Sequence, residues 1–551
     1  MLTVLAANYS DFREVTIESG RVRGYKDYKY DIYAFYGIPY ATTPIGIHKF
    51  KAPLPAPQWT NVFEAFDRHI ICPQPKINEE QRETHEIVQD DCLIANVYVP
   101  NTNKKDLPVL VDIHGGSYQS GFGNMITLKH FADTKKVIVV NFNYRLGVHG
   151  FLCLGTKDIP GNAGLKDMVA LLRWVKNNIA AFGGNPDEVT VSEYSVASSA
   201  IDMLLLSPTV KGLIKRAIPE SGPNLSIYSL QLDPIIIAKN NAKLFKNFNT
   251  NDILELEHFF KTTPLSVLTR NDLMAQRDAT MQFTPCVERN LGEEAFLLQS
   301  PFDISNEGKF PIIPILYGFT NMEKIYKLDN YEYWKTKFNE HFTEFLPMDI
   351  KFDSDNQKDT IIRAIKEFYF GITPGGYFNN SEQSFINYFT DVYFLYGTLR
   401  SVRLQVVAGN HHVYLYEYSF VDDDNPDQSD INTHVQGQGA YLYEAKYSYA
   451  DVPEIPHNKT DSEKSKRVKK LLKEIWINFI TKGSPVPHGS SLPVWPPVNE
   501  EGTPYMSIGD TLELRAAEQR RWHRMNFWHK IYDGYYHHPT PPPVHASKDE
   551  L

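Results

Sequence analysis

Short apolar runs alternate with amphipathic stretches along most of the chain. Leu107–Ile113 and Lys136–Phe142 are nearly continuous apolar runs of strand length, and Ala95–Pro100 alternates like a strand. The clearest helix is predicted over Ala163–Ala181, where apolar residues recur at helical spacing until two glycines end it. Buried strands separated by helices are typical of a mainly parallel sheet covered on both faces, so the predicted fold class is α/β.

The remaining pattern extends this prediction over the whole chain. Further strands are predicted at Val15–Tyr25, Ile32–Tyr36, Arg216–Pro219, Pro314–Phe319 and Val413–Tyr418, and further helices at Ser465–Thr481 and Ala516–Tyr532. The more polar, helical stretch from Asn224 to Pro311 predicts a cap or insertion. No internal repeat interrupts residues 1–533, which are expected to form one domain, and a Pro- and His-rich extended tail is expected over 534–551.

The stretch from Glu188 to Pro208 is the best candidate for chemistry. It predicts a short strand, an abrupt bend at Ser195 and a helix that starts at about Val196. A serine on a sharp strand-to-helix turn is the arrangement of a catalytic nucleophile, usually within G-x-S-x-G. Here Glu193 and Ala197 occupy the two glycine positions. Whether the protein is an enzyme depends on this departure.

Composition and charge exclude several classes of partner. The formal net charge of -10 is spread along 551 residues, which argues against nucleic acid, because a basic face is its usual footprint. No apolar run approaches the roughly 18 to 20 residues that span a bilayer, so no transmembrane anchor is predicted. None of the cysteine spacings is that of a zinc site, and for the histidines of the C-terminal tail a solvated spacer is favoured over metal binding.

The C-terminus indicates a compartment. Lys548–Leu551 reads KDEL, a signal that the KDEL receptor recognises for retention in the endoplasmic reticulum lumen. Since the N-terminus lacks the basic and apolar regions of a signal peptide, we expect that peptide to be missing from this sequence. Candidate glycosylation sequons begin at Asn8, Asn224, Asn379 and Asn458.

The four cysteines favour one bridge. Cys72 and Cys92 flank a polar, Glu-rich segment, which suits a loop-closing disulfide in an oxidising lumen. Cys153 and Cys286 lie in apolar, strand-like surroundings. For these two, buried free thiols are favoured over a second bridge.

Taken together, several motifs make the chain similar to one family. They are FYGIPYATTPIG (35–46), DDCLIANVYVP (90–100), DIHGGSYQSGFGN (112–124), NYRLGVHGFL (143–152), GNAGLKD (161–167), WVKNNIAAFGGNPDEVTV (174–191), AIPESG (217–222) and FWHKIY (527–532). From about Val15 to Tyr532 the chain resembles the type-B carboxylesterase and cholinesterase family of α/β-hydrolases, in particular insect carboxylesterases of the juvenile-hormone-esterase-like kind. The resemblance implies the α/β-hydrolase fold and supports a Cys72–Cys92 bridge.

The resemblance also implies roles for individual residues. Ser195 falls on the nucleophile position, and Glu323 falls on the acid position, although Lys324 replaces the glycine that usually follows the acid. Backbone N–H groups of Gly115, Gly116 and Val196 would form the oxyanion hole. No cofactor is implied.

The base position has two alternatives. If Gly437 matches the glycine of the family's Gly-Ala-x-His segment, Ala440 stands where the histidine belongs and the base is lost. If the chain is aligned on Tyr441 and Leu442, His434 lies within one residue of that position. The first alternative is favoured, and His411 and His412 are weaker candidates.

These departures lead to two functional hypotheses. Glu193, Val196 and Ala197 alter the nucleophile turn, and loss of a triad base costs about 10⁶ in turnover. The favoured expectation is therefore a pseudoesterase of the endoplasmic reticulum lumen that binds a hydrophobic ligand or a partner. The alternative is an active esterase that hydrolyses a hydrophobic carboxylic ester through Ser195, Glu323 and His434.

Overall fold

The apolar runs of the chain become the strands of one large sheet. The computed structural model describes residues 11–66, 69–75, 87–245, 248–269, 282–323, 331–371, 381–421, 462–501, 503–516 and 519–543. The strands are β1 (Phe12–Ile17), β2 (Gly20–Lys26), β3 (Ile32–Pro39), β4 (Phe63–Glu64), β5 (Ile70–Ile71), β6 (Ile87–Val88), β7 (Ile94–Pro100), β8 (Leu107–Ile113), β9 (Ile138–Phe142), β10 (Gly184–Tyr194), β11 (Arg216–Glu220), β12 (Ile315–Thr320), β13 (Val413–Tyr418), β14 (Tyr505–Ile508) and β15 (Leu512–Arg515). The helices are α1 (Lys129–Ala132), α2 (Gly147–Phe151), α3 (Ala163–Asn178), α4 (Val196–Leu206), α5 (Pro234–Lys243), α6 (Ile253–Thr262), α7 (Leu265–Leu268), α8 (Pro301–Asn306), α9 (Tyr331–Glu340), α10 (Asp355–Phe370), α11 (Glu382–Thr390), α12 (Tyr396–Val407), α13 (Glu463–Lys482) and α14 (Gln519–Tyr535).

Thirteen of the described strands pair in one mixed sheet. Their order is β1-β2-β3-β7-β9-β8-β10-β11-β12-β13-β14-β15, with β4 paired to β2. In this order the strands from β9 to β14 are parallel. The pairings on the two flanks are antiparallel, except that β4 pairs parallel to β2. The predicted α/β class is confirmed, and β10, which precedes Ser195, lies in the parallel centre of the sheet.

Both faces of the sheet are covered, as the apolar runs predicted. Along β8, Val109 and Val111 belong to one buried cluster, whereas Leu110 belongs to the cluster on the other face. Helices α3 and α4 pack in the first cluster, and α13 packs in the second. Within the described ranges, no helix is both long and apolar enough to cross a membrane.

Most element bounds agree closely with the predictions, and β8 and β13 agree to the residue. The single strand predicted over Val15–Tyr25 is wrong, because the chain turns back there as an antiparallel hairpin in which Ile17 pairs with Gly20. Gly20 has a φ of +139°, a conformation that glycine tolerates and other residues rarely adopt. The short strand predicted before Ser195 is longer, because β10 begins at Gly184.

The cysteines form two disulfides. The Cys72–Cys92 bridge is present, with Cα atoms 5.0 Å apart. The expectation of free thiols at Cys153 and Cys286 is wrong, because these residues are also bridged, with Cα atoms 6.7 Å apart. Apolar surroundings suit a buried disulfide as well as a buried thiol, and only the tertiary fold brings together residues 133 positions apart.

One of the four sequons is inconsistent with the folded structure. Asn224 is buried, and its side-chain oxygen accepts a hydrogen bond from Ser401 Oγ at 3.3 Å. A glycan on this side chain has no path to solvent, so glycosylation at Asn224 in the folded protein is excluded. Asn8, Asn379 and Asn458 lie outside the described residues.

The chain after α14 lies against the body of the protein. Tyr536 bridges to Ile350, and the His537 N–H donates to the Asp349 carbonyl at 2.8 Å. The His538 ring lies 3.0 Å from an Asp303 carboxylate oxygen. The described part of the tail, up to residue 543, is therefore packed rather than a free solvated spacer, and Lys548–Leu551 lies outside the described residues.

Candidate active site

Ser195 stands on a strained turn between β10 and α4. Its backbone has φ 62° and ψ -141°, a conformation that few residues other than glycine adopt. The Ser195 N–H donates to the Glu220 carbonyl at 2.9 Å, and the Ser195 carbonyl accepts from the Ser198 N–H at 2.9 Å. Ser195 is only half-buried, whereas Tyr194 and Val196 on either side are buried. Ser195 is therefore partly exposed, between two neighbours that are buried.

Glu193 is accommodated without backbone strain. It lies in β10, pairs with Pro219 of β11, and does not have a positive φ. Glutamate in place of the motif's glycine therefore imposes no glycine-only backbone conformation here. The positive φ is instead at Ser195 itself.

The charge of Glu193 is the more important change. Glu193 is buried, and its Oε1 lies 4.0 Å from the place that a Cβ on Gly115 would occupy. Burial, followed by the charge of Glu193, raises the pKa of the Tyr144 phenol. The carboxylate therefore lies beneath the loop that carries the predicted oxyanion donors. Val196 and Ala197 are fully buried in the main core at the start of α4.

The loop after β8, which carries two of the predicted oxyanion donors, packs against the nucleophile turn. Gly116 has a φ of +108°, and a Cβ there would lie 2.0 Å from the Ser120 carbonyl oxygen, so only glycine fits. A Cβ on Gly115 would lie 3.5 Å from the Tyr194 carbonyl, which places this loop directly against the nucleophile turn. Val196 opens α4, where the first N–H groups of a helix have no partner within the helix. The three predicted donors are thus on adjoining segments.

Glu323 lies just beyond the end of β12 and is fully buried. Its Oε1 accepts hydrogen bonds from Ser221 Oγ at 2.5 Å and from the Thr320 N–H at 2.7 Å. Such bonds fix the orientation of a carboxylate and favour its charged form. The sequence analysis did not assign a role to Ser221, although the AIPESG motif that contains it was the available signal.

The ends of three parallel strands are tied together around this site. The backbone of Glu220, at the end of β11, holds Ser195, and the Glu220 carboxylate accepts a hydrogen bond from the Tyr416 hydroxyl on β13. The Ser221 N–H donates to the Gly318 carbonyl of β12 at 2.8 Å. Ser195 and Glu323 are therefore fixed by the same sheet edge, where parallel strands place catalytic groups.

The structure does not place the base. His434 and Ala440 lie outside the described residues, so both alignments of the sequence stay open. His411 and His412 are exposed and precede β13, at the opposite end of that strand from Tyr418. Because a strand of this length spans roughly 17 to 20 Å, these two histidines are excluded as partners of Ser195.

The chain is similar to a set of known proteins over most of its length. A model of the carboxylesterase family matches residues 11–528. Similar proteins include Esterase FE4 of Myzus persicae, 29% identical over 95% of this chain and 94% of the relative. Juvenile hormone esterase of Heliothis virescens is 29% identical over 94% of this chain and 93% of the relative. Carboxylesterase 3B of Mus musculus is 30% identical over 94% of this chain and 89% of the relative.

The fold is also similar to that of a solved esterase structure. The crystal structure of juvenile hormone esterase from Manduca sexta, with OTFP covalently attached, superposes with a TM-score of 0.84 at 28% identity. The match covers 95% of this chain and 100% of that chain. Both the predicted α/β-hydrolase fold and the predicted type-B resemblance are confirmed: the chain belongs to the carboxylesterase family.

Proposed function

We propose that the protein hydrolyses carboxylic esters, with Ser195 as nucleophile, Glu323 as acid and His434 as base. The observation that carries this proposal is the backbone of Ser195, at φ 62° and ψ -141° on an otherwise buried turn. Backbone strain of this kind costs about 1 to 3 kcal/mol, and it persists where a side chain must be presented for chemistry. The structure keeps this strained presentation despite the substituted glycines.

The chemistry assigns a task to each group. Ser195 Oγ attacks the ester carbonyl carbon while the base takes the hydroxyl proton, and the alcohol leaves with that proton. Water then releases the acid from Ser195 in the same two steps. Glu323 orients the base and stabilises its positive charge, and the N–H groups of Gly115, Gly116 and Val196 stabilise the oxyanion. A hydrophobic ester is the proposed substrate class, in line with the names of the juvenile hormone esterases.

A second candidate is a ligand-binding protein with impaired turnover, and Glu193 specifically favours it. Its buried carboxylate lies beneath the oxyanion loop, 4.0 Å from the Cβ position of Gly115. A fixed negative charge there opposes the negative charge that develops on the substrate oxygen. In this candidate the site at Ser195 still binds a hydrophobic ligand but does not turn it over.

We further propose that the protein works in the endoplasmic reticulum lumen. Two disulfides support an oxidising compartment. Lys548–Leu551 would then act through the KDEL receptor. With a signal peptide fused to its N-terminus, the protein should be retained in secretory cells, and deleting these four residues should send it to the medium. Unchanged retention after the deletion would contradict the proposal.

Intact-mass analysis after treatment with a fluorophosphonate tests the chemistry. We expect one adduct on the wild-type protein and none on Ser195→Ala. His434→Ala should slow labelling and p-nitrophenyl ester hydrolysis by several orders of magnitude, whereas His411→Ala, the matched exposed histidine, should change neither. No adduct on folded wild-type protein would favour the ligand-binding candidate, and equal labelling of His434→Ala would remove His434 as base.

A further inference from the structure

A cavity lies apart from the nucleophile turn, between α8, α12, α14 and the chain around Val498. Its volume is about 680 Å³, within the range of small-molecule sites. The Val498 N–H donates to the carbonyl of Val413, the first residue of β13, at 2.7 Å. Ser195 and Glu323, by contrast, follow the last residues of their strands. The cavity therefore extends toward the opposite edge of the sheet from the catalytic site.

One wall of this cavity is apolar. It is formed by Phe302, Leu399, Val402, Val406, Val498 and Met525. At its rim Val407 is 63% exposed, an unusual fraction for a large aliphatic side chain beside a cavity. Such a wall favours a ligand with an extended apolar part.

A cation lies at the aromatic end of the cavity. The Arg400 guanidinium carbon lies 4.1 Å from the ring centre of Phe302, 4.5 Å from that of Tyr536 and 5.1 Å from that of Tyr532. Its Nη1 is buried and has no hydrogen-bond partner among the described residues. Stacked rings hold the guanidinium rigid, and Arg400 is partly exposed in the lining of the cavity. A rigid guanidinium beside an apolar wall suits a carboxylate.

The neighbouring charges define the kind of anion. Asp349 acts on Arg400 through its charge, but its carboxylate already accepts a hydrogen bond from Tyr532 Oη at 2.7 Å. Arg403 lies beside the His529 ring at 3.1 Å, and Asp533 lies 3.6 Å from that ring. With the exposed Glu500 also at the cavity, two arginines face two carboxylates in the lining. This balance favours a single negative charge over a phosphate dianion.

We propose that this cavity binds an apolar monocarboxylate such as a long-chain fatty acid. The carboxylate pairs with the Arg400 guanidinium, and the chain lies along the wall toward Val407. The site does not depend on ester hydrolysis at Ser195, so it holds whether or not the proposed function is correct.

Fluorescence titration with 11-(dansylamino)undecanoic acid tests the site. The wild-type protein and Ser195→Ala should bind this probe equally. Arg400→Gln should weaken binding about 10- to 100-fold, the loss expected for a charged hydrogen bond. Arg363→Gln, an exposed arginine on α10, is the matched control and should leave binding unchanged. The methyl ester of the probe, titrated against Ser195→Ala so that it is not hydrolysed, should bind as weakly as the acid binds to Arg400→Gln.

A second variant and a labelling measurement cover the case in which Arg400→Gln unfolds. Val407→Trp leaves Arg400 in place, narrows the rim and should also weaken binding. A diazirine fatty acid should crosslink to peptides from α12 or α14. Crosslinks confined to the peptide around Ser195, or undiminished binding to folded Arg400→Gln or Val407→Trp, would overturn the proposal.

Discussion

The hydroxyl of Ser221 donates to Oε1 of Glu323 at 2.5 Å, which joins the chain after β11 to the chain after β12 beneath the active site. Both residues are buried, so the bond is shielded from water. The acid of the proposed triad is thereby held by a neighbouring strand end and by the Thr320 N–H of its own turn.

The first prediction removes this bond. Ser221→Ala should lower kcat about tenfold or more with a small effect on KM, because a buried carboxylate that loses a charged hydrogen bond loses its orientation. The same loss should lower the free energy of unfolding by about 1.5 to 3 kcal/mol. Ester kinetics and urea denaturation measure the two effects, and Ser491→Ala, an exposed serine, is the control. Unchanged kcat would show that Ser221 does not position the acid.

Glu193 gives the second prediction. Restoring glycine, Glu193→Gly, should raise the rate of fluorophosphonate labelling at Ser195 by about tenfold or more, because it removes a buried carboxylate beside the oxyanion donors. Glu193→Gln keeps the size and removes the charge. If the charge is the cause, both variants should label faster than the wild-type protein; if only Glu193→Gly does, side-chain volume is the cause instead.

The sequence predicts those site residues that belong to short local motifs. Ser195, Gly116 and Glu323 each lie in a short motif. In the structure these motifs form the turn before α4, the loop after β8 and the turn after β12. The sequence could not predict that Glu193 adopts an unstrained backbone conformation. A motif gives the residue types of the turn but does not show which of them has the positive φ. Ser221 follows β11, whereas Glu323 follows β12, so the hydrogen bond between them could not be predicted without the pairing of these two strands.

The cysteines also show that contacts between distant parts of the chain cannot be predicted from local sequence. The Cys72–Cys92 bridge closes a local loop and was predicted, whereas the Cys153–Cys286 bridge joins distant segments that only the folded sheet brings together. Local composition describes the surroundings of each cysteine but contains no information on its partner.

The third prediction concerns these bridges. Replacing Cys153 and Cys286 by serine should cost more stability than replacing Cys72 and Cys92, because the loops they close differ, with sequence separations of 133 and 20 residues. Loop-closure entropy gives about 5 kcal/mol for the first pair and about 3 kcal/mol for the second. Urea denaturation of the two double variants measures the order. Peptide mapping without reduction provides the control, and free Cys153 in the native protein would contradict the second bridge.

The last prediction follows from a buried carboxyl group on α4, the helix that follows Ser195. Asp202 of α4 accepts hydrogen bonds from Tyr317 Oη at 2.8 Å and from the Asn224 N–H at 3.2 Å. Burial raises the pKa of Asp202 to about 6, despite these bonds. A raised pKa means that the folded protein binds this proton more tightly than the unfolded chain does.

The sign of the pH dependence follows from that difference. The contribution of Asp202 to the free energy of unfolding is full below the unfolded pKa of 3.8 and is lost as pH rises through about 6. The loss is at most about 3 kcal/mol. Asp202→Asn should therefore flatten the fall in stability between pH 4 and 7, as urea denaturation across that range would measure. Burial also raises the pKa of Asp349 to about 6, so this group contributes over the same pH range. Asp349→Asn should therefore remove a further part of the fall in stability. Asp510→Asn, at an exposed carboxylate, should leave the profile unchanged, and an Asp202→Asn profile that matches the wild type would show that Asp202 titrates at its ordinary pKa.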